Sequence, residues 1–185
     1  TLDGDTLLVH PGEYLEHVVF DQPLHVVSTD GPLATVIRAS AGGSVVQCFV
    51  SGSSLEGFTL VKTGGPQSGQ VVYMDPLELR RCIVIGAPSF GGVRFGSGLV
   101  DHCLITGCRD PFLFFPHMSG AIRNSFAWGN ANPLVVDTAP VTIEVAFDRS
   151  ATSHVSAPSS SVTLPTPFEL DWVEDLGTMT PAHRR

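Results

Sequence analysis

Short apolar runs, punctuated by Gly, Pro, Asn and Asp, recur along most of this chain, and nowhere does the spacing become that of an amphipathic helix. Four of the runs align without gaps: Leu55-Glu-Gly-Phe-Thr-Leu60, Leu79-Arg-Arg-Cys-Ile-Val84, Val100-Asp-His-Cys-Leu-Ile105 and Ile122-Arg-Asn-Ser-Phe-Ala127. They start at 55, 79, 100 and 122, so their starts are 24, 21 and 22 residues apart. Each is followed by a turn former and then by a second apolar run: Val71-Val-Tyr, Gly92-Val-Arg-Phe, Phe112-Leu-Phe-Phe and Leu134-Val-Val. A near-constant period of this size marks a solenoid. Two or three short strands per period predict coils that stack as parallel strands, about 4.8 Å apart.

Strand alternation assigns the faces of the four motifs. With the first column inward (Leu55, Leu79, Val100, Ile122), the sixth is inward as well (Leu60, Val84, Ile105, Ala127). The fourth column, Phe58, Cys82, Cys103 and Ser125, lines the core only if the chain bends, because two inward columns three apart violate strict alternation. The second column, Glu56, Arg80, Asp101 and Arg123, points outward with alternating sign. That pattern predicts cross-strand ion pairs rather than a cation site. The fifth column also points outward, yet Ile83, Leu104 and Phe126 are large and apolar. A contiguous column of that kind is one that monomers rarely leave uncovered, so either the chain's own tail or a partner protein is expected to cover it. Phe112-Leu-Phe-Phe115 likewise sends two of its side chains away from the core.

Before the stack, Thr6 to Val9, Val18 to Phe20, Leu24 to Val27 and Val36-Ile37 are expected strands, with turns at Pro11-Gly12 and Asp30-Gly-Pro32. After it, 141–148 reads as a last strand. The composition then shifts to Ser, Thr, Ala and Pro through Pro167, as in a linker or arm. Phe168-Glu-Leu-Asp-Trp-Val173 alternates apolar and acidic residues, so that Phe168, Leu170 and Trp172 share one side and suit docking on an apolar groove. The expected organisation is a β-solenoid over 1–148, then a linker and docking tail over 149–185.

The motifs resemble the right-handed parallel β-helix of the pectin-lyase-like superfamily. Leu55-Glu-Gly-Phe-Thr-Leu60 and Val100-Asp-His-Cys-Leu-Ile105 look like its coils. Asp3-Gly-Asp-Thr-Leu-Leu-Val-His-Pro-Gly-Glu-Tyr14 is similar to the phrase that opens its first coils. Val100 to Ile105 and Asn130-Ala-Asn-Pro133 also resemble carbohydrate-binding and sugar-hydrolase type repeats. The resemblance covers about residues 3 to 148. It implies an all-β fold, a right-handed single-stranded solenoid of about seven coils with an extended C-terminal tail. It also implies an amphipathic helix plugging the first coil. Only three residues precede Gly4 here, so either the chain is expected to be a piece of something longer or another protein is expected to cover that end. The fold carries lyases, hydrolases and inert scaffolds alike, and so does not decide function.

Composition narrows the choice. A hydrophobic content of 43% is ample for a core in one domain of 185 residues. No apolar run approaches the ~18 residues that span a bilayer, so membrane insertion is not expected. The net charge of −8 and a single lysine, Lys62, argue against nucleic acid, whose phosphates are held largely by Lys and Arg. Of the four cysteines, Cys82 and Cys103 occupy one column and read as a ladder of buried thiols. Their spacing fits no zinc module, and free thiols lean towards a reducing intracellular compartment.

Lyases on this fold need a carboxylate neutraliser and a base, and hydrolases need paired carboxylates. No stacked acidic set stands out, and no metal or cofactor is expected. The best polar cluster is Asp101, His102, Arg109, Asp110 and His117, with Arg81, Arg94 and Arg123 as candidate neighbours. These are the catalytic candidates if the chain is an enzyme. The leading expectation is instead a non-catalytic scaffold subunit within a larger assembly. It would bind other protein subunits through Ile83, Leu104, Phe126, Phe168, Leu170 and Trp172. The alternative is a carbohydrate-active or sugar-binding domain, with a polysaccharide as its ligand.

Overall fold

The structure, a computed structural model, describes residues 2–40, 42–64 and 69–132, and beyond them the backbone of strands at 134–135, 144–148, 151–152 and 155–156. Side chains at 95 and 114–119, and all those after 132, lie outside the description. The chain winds into an all-β parallel solenoid of about five turns with three parallel sheets.

Each turn lays one short strand in each sheet. The N-terminal turns contribute β1 (Asp5–Val9), β2 (Gly12–Tyr14), β3 (Val18–Phe20), β4 (Leu24–Ser28), β5 (Thr35–Ala39) and β6 (Val46–Cys48). The next supply β7 (Ser54–Glu56), β8 (Thr59–Lys62), β9 (Gln70–Met74), β10 (Leu77–Arg80) and β11 (Ile83–Ile85). Two long strands, β12 (Gly91–Asp101) and β14 (Phe112–Arg123), run through the third sheet and on into the first; β13 (Leu104–Thr106) and β15 (Phe126–Trp128) lie in the second. β16 (Leu134–Val135), β17 (Glu144–Asp148), β18 (Ala151–Thr152) and β19 (Val155–Ser156) add one strand or two to each sheet. Gly98 lets β12 turn from one sheet to the next: its φ is +122°, and a Cβ there would run into the Leu77 carbonyl.

The register follows the motif alignment. Leu7, Val26, Leu55, Leu79, Val100, Ile122 and Phe147 form one ladder in the first sheet. Tyr14, Ile37, Leu60, Val84, Ile105 and Ala127 form another in the second. Val18, Val46, Val72, Val93 and Phe112 form the third. From the third turn to Ile122, Ala127 and Phe112 these columns are almost wholly buried. Leu7, on the outermost strand of its sheet, is 47% exposed although it belongs to the ladder in which Leu55 and Leu79 are fully buried. An inward residue with a rung on one side alone keeps the other side wet.

The bend required by the fourth column falls at the third. Gly57, Arg81, His102 and Asn124 have φ of +79°, +49°, +52° and +48°. One left-handed residue reverses the alternation. The side chains before and after it, Leu55 with Phe58, Leu79 with Cys82 and Val100 with Cys103, then all face inward and are buried. The bends stack through their own backbone: Gly57 N–H donates to Arg80 O (3.1 Å), Arg81 N–H to Asp101 O (2.9 Å) and His102 N–H to Arg123 O (3.1 Å). Asn and His tolerate this conformation better than most residues, whereas Arg gains nothing from it.

Arg81 therefore carries strain that its exposed ion pair with Glu56 offsets little. Arg81→Gly is expected to keep or raise stability, and Arg81→Val to lower it by about 1–2 kcal/mol. Urea unfolding of the two variants checks this; equal midpoints would remove the strain argument.

Candidate functional site

Ten large apolar residues among those described are exposed, and they fall in three places. Leu2, Leu7, Leu8, Leu15, Val19 and Leu33 belong to the N-terminal turns. Leu104, Phe126 and Trp128 lie on the outer face of the second sheet. Phe49 borders the outer face of the third sheet. The two outer faces are the candidate sites.

On the second sheet, Thr59, Ile83, Leu104 and Phe126 are consecutive in register and point outward. The exposed column expected from the motifs is therefore present. Thr59 is buried and donates to Pro32 O (2.6 Å). Ile83 is half-buried, Leu104 36% exposed and Phe126 38% exposed. Two residues further along each strand, Val61, Ile85, Thr106 and Trp128 form a parallel outward column, in which Trp128 is 45% exposed. The columns give one apolar face, from Ile83 and Ile85 to Phe126 and Trp128, with Thr106 as its polar interruption. Trp128 and Ile85 were missed in the sequence because they sit beyond the six-residue motif, although strand alternation continued by two positions would have found them. Phe168, Leu170 and Trp172 lie outside the described residues.

On the third sheet the outward column is Val19, Gln47, Tyr73, Arg94 and Leu113. The Arg94 guanidinium stacks over the Tyr73 ring at 4.6 Å, and Phe49 packs against Tyr73 with centroids 5.1 Å apart. With Gly42, Gly43, Ser44, Gly69 and Gln70 these side chains line an open groove of about 490 Å³. Lys62 secures one wall from within. Although it is the sole lysine, it is buried, and its ammonium donates to Gly43 O (2.6 Å) and Gly42 O (3.4 Å) 5.2 Å from the Phe90 ring. Desolvation lowers its pKa. The motif columns gave no sign of this groove. Aligning the central residues of Val46-Gln-Cys, Val72-Tyr-Met and Val93-Arg-Phe would have found it.

The polar residues grouped in the sequence separate in space. Asp101 and His102 lie at the bend before β13, and Arg109 and Asp110 lie beyond its other end. That strand spans roughly 10 Å, and among the described residues no hydrogen bond or ion pair joins the two groups. Asp101 Oδ1 is 3.0 Å from His102 Nδ1 and accepts from Asn124 Nδ2 (2.9 Å), while Oδ2 lies 3.6 Å from Arg80. Asp110 is buried. It takes Arg109 Nε at 2.6 Å on one oxygen and Asn132 Nδ2 at 2.7 Å on the other, a turn carboxylate with its acceptors in use. Arg94 belongs to the groove, and the side chain of His117 lies outside the description. In the second column Arg80 pairs with Asp101, as alternating sign predicts, and also with Glu78 at 2.8 Å. Glu56 pairs with Arg81 from the bend rather than with Arg80.

The four cysteines are free and buried. Burial raises the Cys48 thiol, pushes Cys108 up to about 12 and holds Cys103 well above its ordinary value. Those three are packed thiols rather than nucleophiles; at Cys82, burial raises the thiol but the hydrogen bonds with Cys103 and the backbone of Phe58, Gly57 and Arg80 outweigh it and lower the value. Among the described residues no group of three His, Cys, Asp or Glu is placed to hold a metal ion. Searches of protein-family models, curated proteins and solved structures return no match to this chain.

Partial burial tends to raise the pKa of Asp101, but the hydrogen bonds from Asn124 and His102 and the charges of His102 and Arg80 outweigh it and hold the value below the ordinary range. A depressed carboxylate stabilises the fold above its unfolded pKa, about 3.9, and that contribution disappears as pH falls through the folded value. Asp101→Asn should be less stable than wild type at neutral pH, and the two should converge in acid. Urea titrations above and below about pH 3.9 test this; a constant gap would refute the assignment.

Proposed function

We propose that the chain is a non-catalytic interaction module, a β-solenoid whose second sheet docks another protein subunit. The apolar outer face from Ile83 and Ile85 through Leu104 to Phe126 and Trp128 carries the reading. A sheet face that no neighbouring strand or loop needs is expected to be polar on a monomer. The dispersal of Asp101, His102, Arg109 and Asp110 into two internally satisfied groups also favours a scaffold over hydrolytic chemistry, which needs carboxylates converging on one bond. The finer architecture belongs to the same proposal: a right-handed coil, as parallel crossovers almost always are, with about seven turns as the seven-stranded second sheet suggests, in the manner of the pectin-lyase-like solenoids.

A photo-crosslinker at position 104 should capture a protein ligand that the same group at position 19, on the third sheet, does not. Leu104→Asp or Phe126→Asp should weaken that ligand at least tenfold, about 1.4 kcal/mol. Capture that is equal at both positions, or insensitive to these substitutions, would refute the docking face.

A second reading, sugar binding, is favoured by the groove of Gln47, Phe49, Tyr73, Gln70 and Arg94. An aromatic face beside a guanidinium and two amides offers stacking together with planar hydrogen-bonding groups, and Arg suits an acidic sugar's carboxylate. On this reading Tyr73→Ala abolishes binding of oligogalacturonides measured by calorimetry. Cleavage of polygalacturonate by the purified chain, lost in Asp101→Asn or His102→Ala, would displace the scaffold reading altogether.

A further inference from the structure

Resting on the docking face proposed above, we infer that the chain's own segment Phe168–Val173 occupies that face when no partner is bound, so that a partner must displace it. The face is apolar and lies at the C-terminal rungs: Phe126 pairs in register with Ala151 of β18. The backbone is described as far as Val155–Ser156 of β19. Residues 157–167 follow, rich in Ser, Thr and Pro. Fully extended, these 11 residues reach about 36 Å; starting from β19 in the third sheet, they must cross to the second sheet, about 10 Å for packed sheets, and pass two or three rungs, roughly 10–15 Å along the axis. The segment is therefore tethered well within range, and its effective concentration at the face is far above that of a free ligand.

Its pattern matches what the face requires. Phe168, Leu170 and Trp172 fall on one side of an extended strand, and Glu169 and Asp171 on the other. Laid on the sheet, such a strand would cover apolar columns with apolar side chains and turn a polar surface to water. Affinity for an external partner would then be lowered by the fraction of chains in which the face is already covered.

The full-length chain carries its own reporters, Trp128 on the face and Trp172 in the segment. In a Trp128→Phe background, Trp172 should emit as a shielded indole, resist acrylamide quenching, and do so independently of protein concentration. Adding Leu104→Asp or Phe126→Asp should shift its emission to that of an indole in water. In the otherwise native chain, Phe168→Ser with Trp172→Ser should increase binding of the apolar dye ANS, and Leu104→Asp should cancel the increase. Trp172 already solvent-like, with dye binding unaffected by the segment variants, would overturn the inference; dye binding that still depends on Leu104 would leave the docking face standing, whereas none would remove both. Shielding that grows with protein concentration would assign the face to a second copy's segment and overturn the intrachain assignment.

Discussion

The left-handed residue between the first and second sheets is the constraint on which the molecule is built. Period-two alternation along an uninterrupted strand would send Phe58, Cys82, Cys103 and Ser125 to the surface once Leu55, Leu79, Val100 and Ile122 are inside. One residue at positive φ in each turn turns them inward, and the bend N–H groups donate to the carbonyls of the next rung instead of losing their partners. Ser125 shows how closely the corner is accounted for. It is buried, accepts from Cys103 N–H (3.0 Å) and donates to Arg123 O (2.6 Å), so a hydroxyl stands where its neighbours carry thiols without leaving an unsatisfied donor. A residue that resists left-handed geometry, placed in that column, strains one rung directly and disturbs the ladder bonds to the next.

With the interior filled by stacked columns, specificity can reside only on outer faces and in the loops between sheets. The first sheet uses its outer face for charge: Glu56, Arg80, Asp101 and Arg123 are neighbours in register, Arg80 pairs with Asp101, and Glu56 pairs with Arg81 at the bend. The second sheet exposes apolar columns. The third exposes an aromatic–guanidinium stack bordered by glycine loops, with a buried ammonium fixing one of them. Three faces of one coil thus present three chemistries, and each is written in every second residue of its strands.

Much of the first two sheets was legible in the sequence, because a two-residue corner permits no insertion and the motifs align without gaps. The pairings of Leu79 with Leu55 and Val100, and of Leu104 with Ile83 and Phe126, follow from that alignment. The third sheet was less legible. It is reached through loops of variable length, and its strands β12 and β14 continue into the first sheet, so the spacing between Tyr73 and Arg94 had no motif to anchor it. The polar cluster failed for a different reason. Asp101 and Asp110 are close in number, but a strand of the second sheet lies between them, and in a solenoid residues less than half a turn apart can be farther apart than residues a full turn apart. Asp101 accordingly meets Asn124, and Asp110 meets Asn132.

That inversion of near and far also governs how the molecule responds to change. Each rung touches only its neighbours, so stability is close to a sum of rung and interface contributions. Removing Leu79 or Val100 from a fully buried ladder would open a cavity shared by three rungs and is expected to cost about 2–5 kcal/mol for a leucine. Leu104 and Phe126 neighbour only outward positions of adjacent rungs, Ile83 and Ala151 among them, and can accept a polar group without disturbing the columns beneath. A sheet under selection for stability alone would make that exchange, since carboxylates or hydroxyls on an outer face cost the fold little and keep it soluble. Apolar side chains kept at consecutive outward positions are therefore best understood through what they touch rather than through the fold they sit on.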